Sequence, residues 1–336
     1  MLAKQTFYIT REGKLKRQHN TVRFEHSEGH LYLPVEQIEA VYVMVPLELN
    51  TKLLEFFNQN KIPIHLFNYY GYYSGSFMPR ESKVSGSVLV RQAIASHDPA
   101  ERIPIAKEFL RGAQANIMKN IRQYQRNYSS EKINQLADQI ENEREKLEKS
   151  VDIQQLMGVE GIVRKKYYQV IDQIMNKNNP EFVMDGRIKR PPNNKMNSLV
   201  SFINSLVYAT TLNEIYQTHL NPTISFLHEP TDRRYSLSLD ISEVFKPLLS
   251  DRLIFRLINL KMLSKKHFDE SDRICYLNEK GRRMVIEEYH KKLHTTVKHR
   301  TLGRNVSYQR LIRLECYKLV KHILGEKIYS SFKIWW

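Results

Sequence analysis

Residues 81–104, ESKVSGSVLVRQAIASHDPAERIP, separate two kinds of sequence pattern. Before this stretch, apolar residues occur in short, often alternating runs, which are typical of β-strands. After it they recur about every 3.6 residues, which is typical of amphipathic helices. The stretch itself contains Ser, Gly and an Asp-Pro pair, which favour turns. We therefore expect two domains, residues 1–80 and 105–336, joined by a linker over residues 81–104.

The N-terminal pattern predicts a small β-rich domain with one helix. The helix is predicted over Asn50–Gln59, and its flanks are strand-like. Six runs have strand character, namely Phe7–Thr10, Val22–Phe24, Leu31–Leu33, Ile38–Val45, Ile64–Phe67 and Tyr72–Phe77. A lone domain of this size leaves strand edges to be covered, so we expect it to pair with a second copy as a homodimer.

The C-terminal pattern predicts a larger, mainly α-helical domain, so the expected fold class is α+β. An apolar stripe runs from Ile105 to Tyr124, and a highly charged helix follows from Ile133. Further helices are predicted over Gly161–Met175, Asn197–Thr218, Leu239–Leu260, Arg282–Leu293 and Tyr308–Leu324.

Charge indicates the class of partner. The chain has 52 Lys and Arg against 36 Asp and Glu, a net charge of +16, which favours binding to nucleic acid. No apolar run approaches the ~20 residues that a membrane span requires, and residues 1–17 lack the order of a secretory signal, so we expect a cytoplasmic protein. The sequence contains no P-loop, dinucleotide-binding or G-x-S-x-G motif, which argues against nucleotide-driven and serine-hydrolase chemistry.

Three segments carry candidate catalytic residues. Glu160 lies between Gly158 and Gly161 at a predicted helix start, where it either faces a ligand or complements the helix dipole. His228 follows an apolar run and precedes Pro230, as a ligand or as a structural histidine.

The third segment is Leu239–Phe245, in which Asp240 and Glu243 share one face of an apolar helix. Two neighbouring carboxylates repel each other unless a cation lies between them, although an Asp and a Glu at this spacing also occur at ordinary helix starts. Together, the acids and the histidine fit a divalent cation, Mg²⁺ or Mn²⁺, held for phosphoryl transfer.

Basic residues flank each of these segments. They are Arg164, Lys165, Lys166, Arg187, Lys189, Arg190, Arg233 and Arg234. Such residues either bind DNA phosphates or form an ordinary basic surface.

The order of these motifs resembles that of the CRISPR-associated integrase family of spacer acquisition, Cas1. The shared motifs are Gly158-x-Glu160-Gly161, Tyr167-Tyr168, Arg187-x-x-Arg190-Pro191-Pro192, Asn197, Tyr208, Phe226-Leu227-His228 and Leu239-Asp240-x-x-Glu243. Residues 67–73 and 332–336 resemble the subtype I-B branch, and the resemblance covers nearly the whole chain.

The resemblance implies that Glu160, His228 and Glu243 bind the catalytic Mg²⁺ or Mn²⁺. It implies that Asp240 is an adjacent supporting carboxylate, whose loss should do less damage, and that Tyr208 joins the basic residues in binding DNA. It also implies a homodimer that assembles with the small protein Cas2 on double-stranded DNA.

The implied reaction inserts short DNA into a CRISPR array through attack by a DNA 3′-hydroxyl. Two alternatives remain open at this point. A plain metal-dependent nuclease would use water at the same ion. A non-catalytic scaffold would bind nucleic acid, but it would not require acids among its basic residues.

Overall fold

The computed structural model describes residues 4–80, 83, 85–230 and 235–336. Arg233 and Arg234, two of the predicted DNA-binding residues, lie outside the described residues. The chain forms two compact units, Met1–Val84 and Ser85–Trp336. The first is rich in strands and the second is mainly helical, which confirms the α+β fold class. Across the described part of the chain, every helix is too short or too polar to cross a bilayer.

The first unit contains two four-stranded sheets and helix α1 (Thr51–Asn60). Its strands are β1 (Gln5–Ile9), β2 (Gly13–Gln18), β3 (Thr21–His26), β4 (Gly29–Pro34), β5 (Ile38–Val43), β6 (Leu47–Glu48), β7 (Ile64–Phe67) and β8 (Tyr73–Phe77). One sheet has the order β1-β5-β7-β8 and the other β4-β3-β2-β6. Apolar side chains from both sheets and α1 share one core.

The six predicted strands of this unit and its helix are confirmed. Strands β2 and β6 were not predicted, because β2 buries only Leu15 among polar residues and β6 is two residues long. Asn50, predicted as the first residue of α1, is its N-cap and accepts the N–H of Leu53 at 3.1 Å.

The second unit contains nine helices and two hairpins among its described residues. The helices are α2 (Gly86–His97), α3 (Pro99–Tyr128), α4 (Glu131–Lys149), α5 (Ile153–Asn178), α6 (Lys195–Tyr216), α7 (Ser236–Lys246), α8 (Arg252–Asn259), α9 (Glu279–His294) and α10 (Tyr308–Ile323). The hairpins pair β9 (Phe268–Ser271) with β10 (Ile274–Leu277) and β11 (Thr296–Lys298) with β12 (Asn305–Ser307). A π-helical turn, Pro247–Asp251, separates α7 from α8.

The segment predicted as a linker differs from that prediction, because it contains α2 and the first residues of α3. Ser85 caps α2 by accepting the N–H of Val88, and Asp98 caps α3 by accepting that of Ala100. The Ser-Gly and Asp-Pro pairs therefore start helices, since Pro99 also suits the first position of α3. Gln92 of α2 donates to carbonyls of the loop between α6 and α7, which fixes α2 within the second unit.

The segment after α10 packs against α3 and α7. The buried side chain of Asn116 on α3 donates to the carbonyls of Val244 at 2.8 Å and Phe332 at 3.2 Å, and accepts the N–H of Ile334 at 2.7 Å. The Phe332 ring stacks on Phe245 with centroids 5.0 Å apart. These contacts brace α7, the helix that contains Asp240 and Glu243.

Candidate active site

Glu160 lies well inside α5, and not at a helix start as predicted. The helix begins at Ile153, and Asp152 caps it by accepting the N–H of Gln155 at 2.8 Å. Gly158 and Gly161 are interior helical residues, and a Cβ atom on either would meet nothing within 4 Å. Glycine weakens an isolated helix but is tolerated where tertiary packing supports it. The glycines therefore leave open space on α5 beside Glu160.

Four charged side chains from α5 and α7 form what we call the charged cluster: Glu160, Arg164, Glu243 and Lys246. The Nη2 atom of Arg164 donates to Oε2 of Glu243 at 2.5 Å, and its Nε lies 3.7 Å from Oε1 of Glu160. Lys246, one turn after Glu243, forms an ion pair with the other oxygen of Glu243. Two carboxylates and two cations thus balance each other.

Apolar residues enclose one side of the charged cluster. A cavity of about 20 Å³ adjoins Glu160, Arg164 and Glu243. Its other lining residues are mostly apolar: Leu110, Ala113, Gln114, Ile117, Leu147, Val159 and Val163. Because this side of the cluster is apolar, its charges interact more strongly than in water, and a buried unpaired charge there would be costly.

The two carboxylates of the cluster have opposite pKa shifts. Burial raises the pKa of Glu160, and the nearby charge of Glu243 raises it further, against the effects of Arg164, Lys246 and His228. Burial also acts to raise the pKa of Glu243, but Lys246 and Arg164 outweigh it and hold that pKa far below its usual value. Glu243 is therefore a permanent anion, whereas Glu160 gains a proton more easily.

Asp251, at the end of the π-helical turn, is a third carboxylate near Arg164. Its Oδ2 atom lies 4.0 Å from Nη1 of Arg164, and its side chain is 4% exposed. Burial raises the pKa of Asp251 to about 6, although Arg164 lowers it. Neither Asp251 nor Lys246 was predicted as a site residue. Asp251 is brought to Arg164 by a tertiary contact, which no local motif encodes. Lys246 lies one turn from Glu243 on the same helix, so the i, i+3 pairing of an acid with a base could have indicated it.

His228 lies in the loop between α6 and α7, as predicted, and Asp240 on α7 fixes its position. Asp240 is fully buried and accepts four hydrogen bonds. Three come from the backbone N–H groups of Phe226 at 2.7 Å, Leu227 at 2.9 Å and His228 at 2.9 Å. The fourth comes from Nδ1 of His228 at 2.7 Å. Since Nδ1 faces a carboxylate, it donates its proton to this bond, which leaves Nε2 as the ring nitrogen that could bind a metal.

The predicted metal ligands are only partly brought together. Among the described residues, no three His, Cys, Asp or Glu side chains are grouped closely enough to hold one ion. Glu160 and Glu243 gather around Arg164, whereas His228 pairs with Asp240 and affects Glu160 only electrostatically. Two carboxylates and a Nε2 lone pair are nevertheless suitable donors for Mg²⁺ or Mn²⁺. To bind the ion, Glu243 would have to give up its ion pair with Arg164 or Lys246.

The predicted DNA-binding residues before α6 differ in exposure. Lys189 and Arg190 are exposed. Partial desolvation lowers the pKa of Lys189, and the cations of Arg187 and Lys246 lower it further, which places Lys189 within electrostatic reach of the charged cluster. Arg187 is partly buried instead, and it donates to Asn197 at 3.0 Å and to the serine one turn further along α6.

The other predicted DNA-binding residues also have distinct surroundings. Lys165 is exposed. Lys166 contacts Glu143 on α4 at 3.2 Å. Arg164, only 11% exposed, is enclosed by carboxylates rather than presented on the surface as predicted. The hydroxyl of Tyr208 accepts the N–H of Tyr235 at 3.0 Å, so it supports the start of α7.

The chain matches the family described as "CRISPR associated protein Cas1" over residues 7–291. It is 46% identical over 335 residues to CRISPR-associated protein Cas1 1 of Methanobrevibacter ruminantium, with 100% of both chains covered. It is also 46% identical over 331 residues to CRISPR-associated endonuclease Cas1 of Clostridium perfringens, covering 98% of this chain and 99% of the relative.

Solved structures agree with these sequence matches. A CAS1 protein from Thermotoga maritima has a TM-score of 0.86 at 38% identity, covering 98% of this chain and 100% of the other. A casposase bound to integration product has a TM-score of 0.84 at 17% identity, covering 98% and 93%, and shares the fold. A Cas6-RT-Cas1–Cas2 complex includes the same fold, with a TM-score of 0.84 at 15% identity, covering 100% and 36%. By its motifs, its fold and its relatives, the chain belongs to the Cas1 family of CRISPR-associated proteins.

Proposed function

We propose that this protein is a metal-dependent DNA endonuclease and integrase of CRISPR adaptation, which inserts short foreign DNA as spacers into the CRISPR array. The observation that carries the proposal is the charged cluster, which lies within electrostatic reach of His228 in a basic chain of the Cas1 family. The Clostridium perfringens relative named as an endonuclease supports the nuclease activity, and the casposase bound to integration product supports the integrase activity.

Glu160, His228 and Glu243 would hold Mg²⁺ or Mn²⁺, which supplies Lewis-acid stabilisation of charge on the phosphodiester. Asp240 keeps the proton of His228 on Nδ1, so that Nε2 is available as a metal ligand. Arg164 and Lys246 keep Glu243 ionised, so it accepts a cation without first losing a proton. Lys165, Lys189 and Arg190, which are exposed, bind DNA phosphates.

The reaction forms a bond between phosphorus and a DNA 3′-oxygen while another phosphodiester bond breaks. Because one phosphodiester replaces another, the step needs no nucleotide, which agrees with the absence of a P-loop from the sequence. We further propose that residues 1–80 form the homodimer contact and that Cas2 joins the complex. The Cas1–Cas2 complexes among the structural neighbours support the association with Cas2.

Strand transfer tests the proposal. Purified protein, Cas2, Mg²⁺ or Mn²⁺, a short duplex and a supercoiled plasmid bearing the repeat should give covalently joined products. Glu160→Ala, His228→Ala and Glu243→Ala should each abolish joining with DNA affinity retained, because these ligands serve chemistry. Full activity in any variant would remove that residue from the site. Nicked plasmid without joined strands would favour the plain nuclease, and DNA binding without either product would favour the scaffold.

A further inference from the structure

The guanidinium of Arg164 lies among three carboxylates, and a different one of its nitrogens faces each of them. Its Nη2 atom donates to Glu243 at 2.5 Å, its Nε lies 3.7 Å from Glu160, and its Nη1 lies 4.0 Å from Asp251. Of these three contacts, only the one with Glu243 is a hydrogen bond. Arg164 is therefore bonded to one carboxylate and close to two others.

The more distant of these carboxylates, Asp251, has an oxygen in position to accept a hydrogen bond. In the described part of the chain its Oδ2 atom is buried and accepts no hydrogen bond, and the side chain is 4% exposed. Nη1 of Arg164 would reach hydrogen-bond distance by moving about 1 Å closer than its present 4.0 Å. Buried polar atoms are normally hydrogen-bonded, so an open acceptor beside an arginine indicates a second position for that arginine.

The proposed metal site requires such a second position. Glu243 is a proposed ligand, but it contacts both Arg164 and Lys246. Among the described residues, Lys246 has no carboxylate within ion-pair distance other than Glu243, whereas Arg164 has three. Arg164 is 11% exposed, and a buried cation that loses its partner without gaining another is costly. Of the three carboxylates near Arg164, Asp251 is the one that is not itself a proposed ligand.

We propose that Asp251 is a positioning residue for metal binding, which accepts the guanidinium of Arg164 when Glu243 binds the divalent cation. The inference rests on the proposed function and adds to it a residue and a movement. In the structure, Arg164 occupies an oxygen that Glu243 would offer to the cation. With Asp251 as its alternative partner, Arg164 has a counter-charge both before and after this exchange, so no buried cation is left unpaired. Asp251 thus acts through Arg164 and is not a metal ligand.

Affinity for Mn²⁺ in the absence of DNA tests this role. Electron paramagnetic resonance counts free Mn²⁺ beside the full-length protein at neutral pH, and the binding that Glu160→Gln abolishes is assigned to the site. Asp251→Asn should bind Mn²⁺ about tenfold more weakly, as is usual when a residue that supports a metal ligand is lost. Its melting temperature without metal should rise, because the carboxylate that it replaces is buried and only partly paired. A residue that served only the fold would lower that temperature when replaced.

Glu143→Gln is the matched control for the loss of a buried negative charge. The Glu143 side chain is 5% exposed, close to the value for Asp251, and it contacts Lys166 rather than Arg164. Because it shares no partner with the site, its replacement should change Mn²⁺ affinity by less than about twofold.

Arg164→Met tests whether Asp251 acts through the arginine. This variant removes the cation that occupies Glu243, so it should bind Mn²⁺ several-fold more tightly than the unmodified protein. Adding Asp251→Asn to Arg164→Met should change the affinity by less than about twofold, because the group that Asp251 would accept is gone.

Each outcome discriminates. If Asp251→Asn lost no more affinity than Glu143→Gln, the role of Asp251 would be wrong and the proposed function would stand. This comparison decides even if Arg164→Met fails to fold. An equal loss on replacing Asp251 with and without Arg164 would show that Asp251 does not act through Arg164, which also overturns the inference. An unmodified protein that binds no Mn²⁺ would overturn the metal dependence of the proposed function itself.

Discussion

The charged cluster and the His228–Asp240 pair both depend on α7, but different interactions hold them. In the charged cluster, cations and carboxylates neutralise each other, and Glu243 contacts both Arg164 and Lys246. In the other half, one buried carboxylate accepts three backbone N–H groups and a ring nitrogen. Ion pairs can exchange partners, whereas a set of converging hydrogen bonds cannot shift without losing several at once. The site thus combines an adjustable half with a fixed half.

Removing the acceptor of the fixed half should have the largest effect on stability. Asp240→Ala leaves three N–H groups and Nδ1 of His228 without their acceptor, at roughly 1–3 kcal/mol for each buried donor. Because losses within one hydrogen-bond network are not additive, we expect the free energy of unfolding, measured in urea, to fall by about 3–5 kcal/mol, less than their sum. Ser242→Ala is the control, because among the described residues this buried hydroxyl donates only to the carbonyl of Leu239, within its own turn. A loss below about 1 kcal/mol for Asp240→Ala would contradict the interpretation that Asp240 fixes the backbone around His228.

This expectation changes the role given to Asp240 by the sequence. The resemblance presents Asp240 as a supporting carboxylate whose loss does less damage than loss of a ligand. The structure shows it accepting the backbone N–H groups of residues 226–228, which position His228. Its replacement should therefore damage folding and activity together, unlike replacement of Glu160 or His228.

Breaking the adjustable half should have the next largest effect. Arg164→Ala leaves Glu160, Glu243 and Asp251 as neighbouring carboxylates without their shared cation, so the free energy of unfolding should fall by about 2–4 kcal/mol. Arg164→Lys should recover part of this loss, since it restores charge but not the planar fork. Lys165→Ala, an exposed neighbour, should stay within about 0.5 kcal/mol. If Arg164→Ala lowered the free energy of unfolding as little as Lys165→Ala, the charged cluster would contribute nothing to stability.

The pH dependence of the adjustable half can be tested at Asp251. The pKa of Asp251 in the folded protein is about 6, above the ordinary 3.8. Ionised Asp251 therefore destabilises the fold above pH 6. This destabilisation disappears as the pH falls toward 4. Asp251→Asn should therefore be more stable than the unmodified protein at pH 7, by about 2 kcal/mol, with the difference vanishing near pH 4. Urea unfolding at several pH values measures this. A constant difference across that range would exclude titration of Asp251.

The smallest effect is expected at Tyr208, which supports the helix shared by both halves. Tyr208→Phe removes the acceptor of the Tyr235 N–H and should cost about 1 kcal/mol of stability. If this structural contact is its main role, DNA affinity measured by anisotropy should be unchanged. A several-fold loss of affinity would instead support the DNA contact that the resemblance implies.

Local sequence patterns predicted which residues form the site better than they predicted what those residues contact. His228 and Asp240 were found because a proline-terminated loop and an i, i+3 acid pair are local features. The bond between them joins two segments, and nothing in either segment encodes it. Likewise, Arg164 was predicted to face DNA, because its ion pair with Glu243 joins residues 79 positions apart and no local pattern indicates it.

Helix boundaries show the same limit. Glu160 was placed at a helix start between its glycines, but packing of α5 against α3 and α4 stabilises the helix through them. Ser85 and Asp98 were taken as turn residues, although the same residue types cap helices. The periodicity of the apolar residues therefore identified the fold class, whereas caps and tertiary contacts decided where these helices begin.

The hydrogen bonds from the backbone of residues 226–228 to Asp240 have a consequence for hydrogen exchange. Phe226, Leu227 and His228 belong to no helix or strand, and amides in such a loop ordinarily exchange quickly with solvent. Here, one carboxylate holds all three N–H groups, so none can open while Asp240 stays in place. These amides should exchange slowly and together, at the rate at which α7 itself separates from the loop. Residues 226–228 thus belong to the same cooperative opening unit as α7.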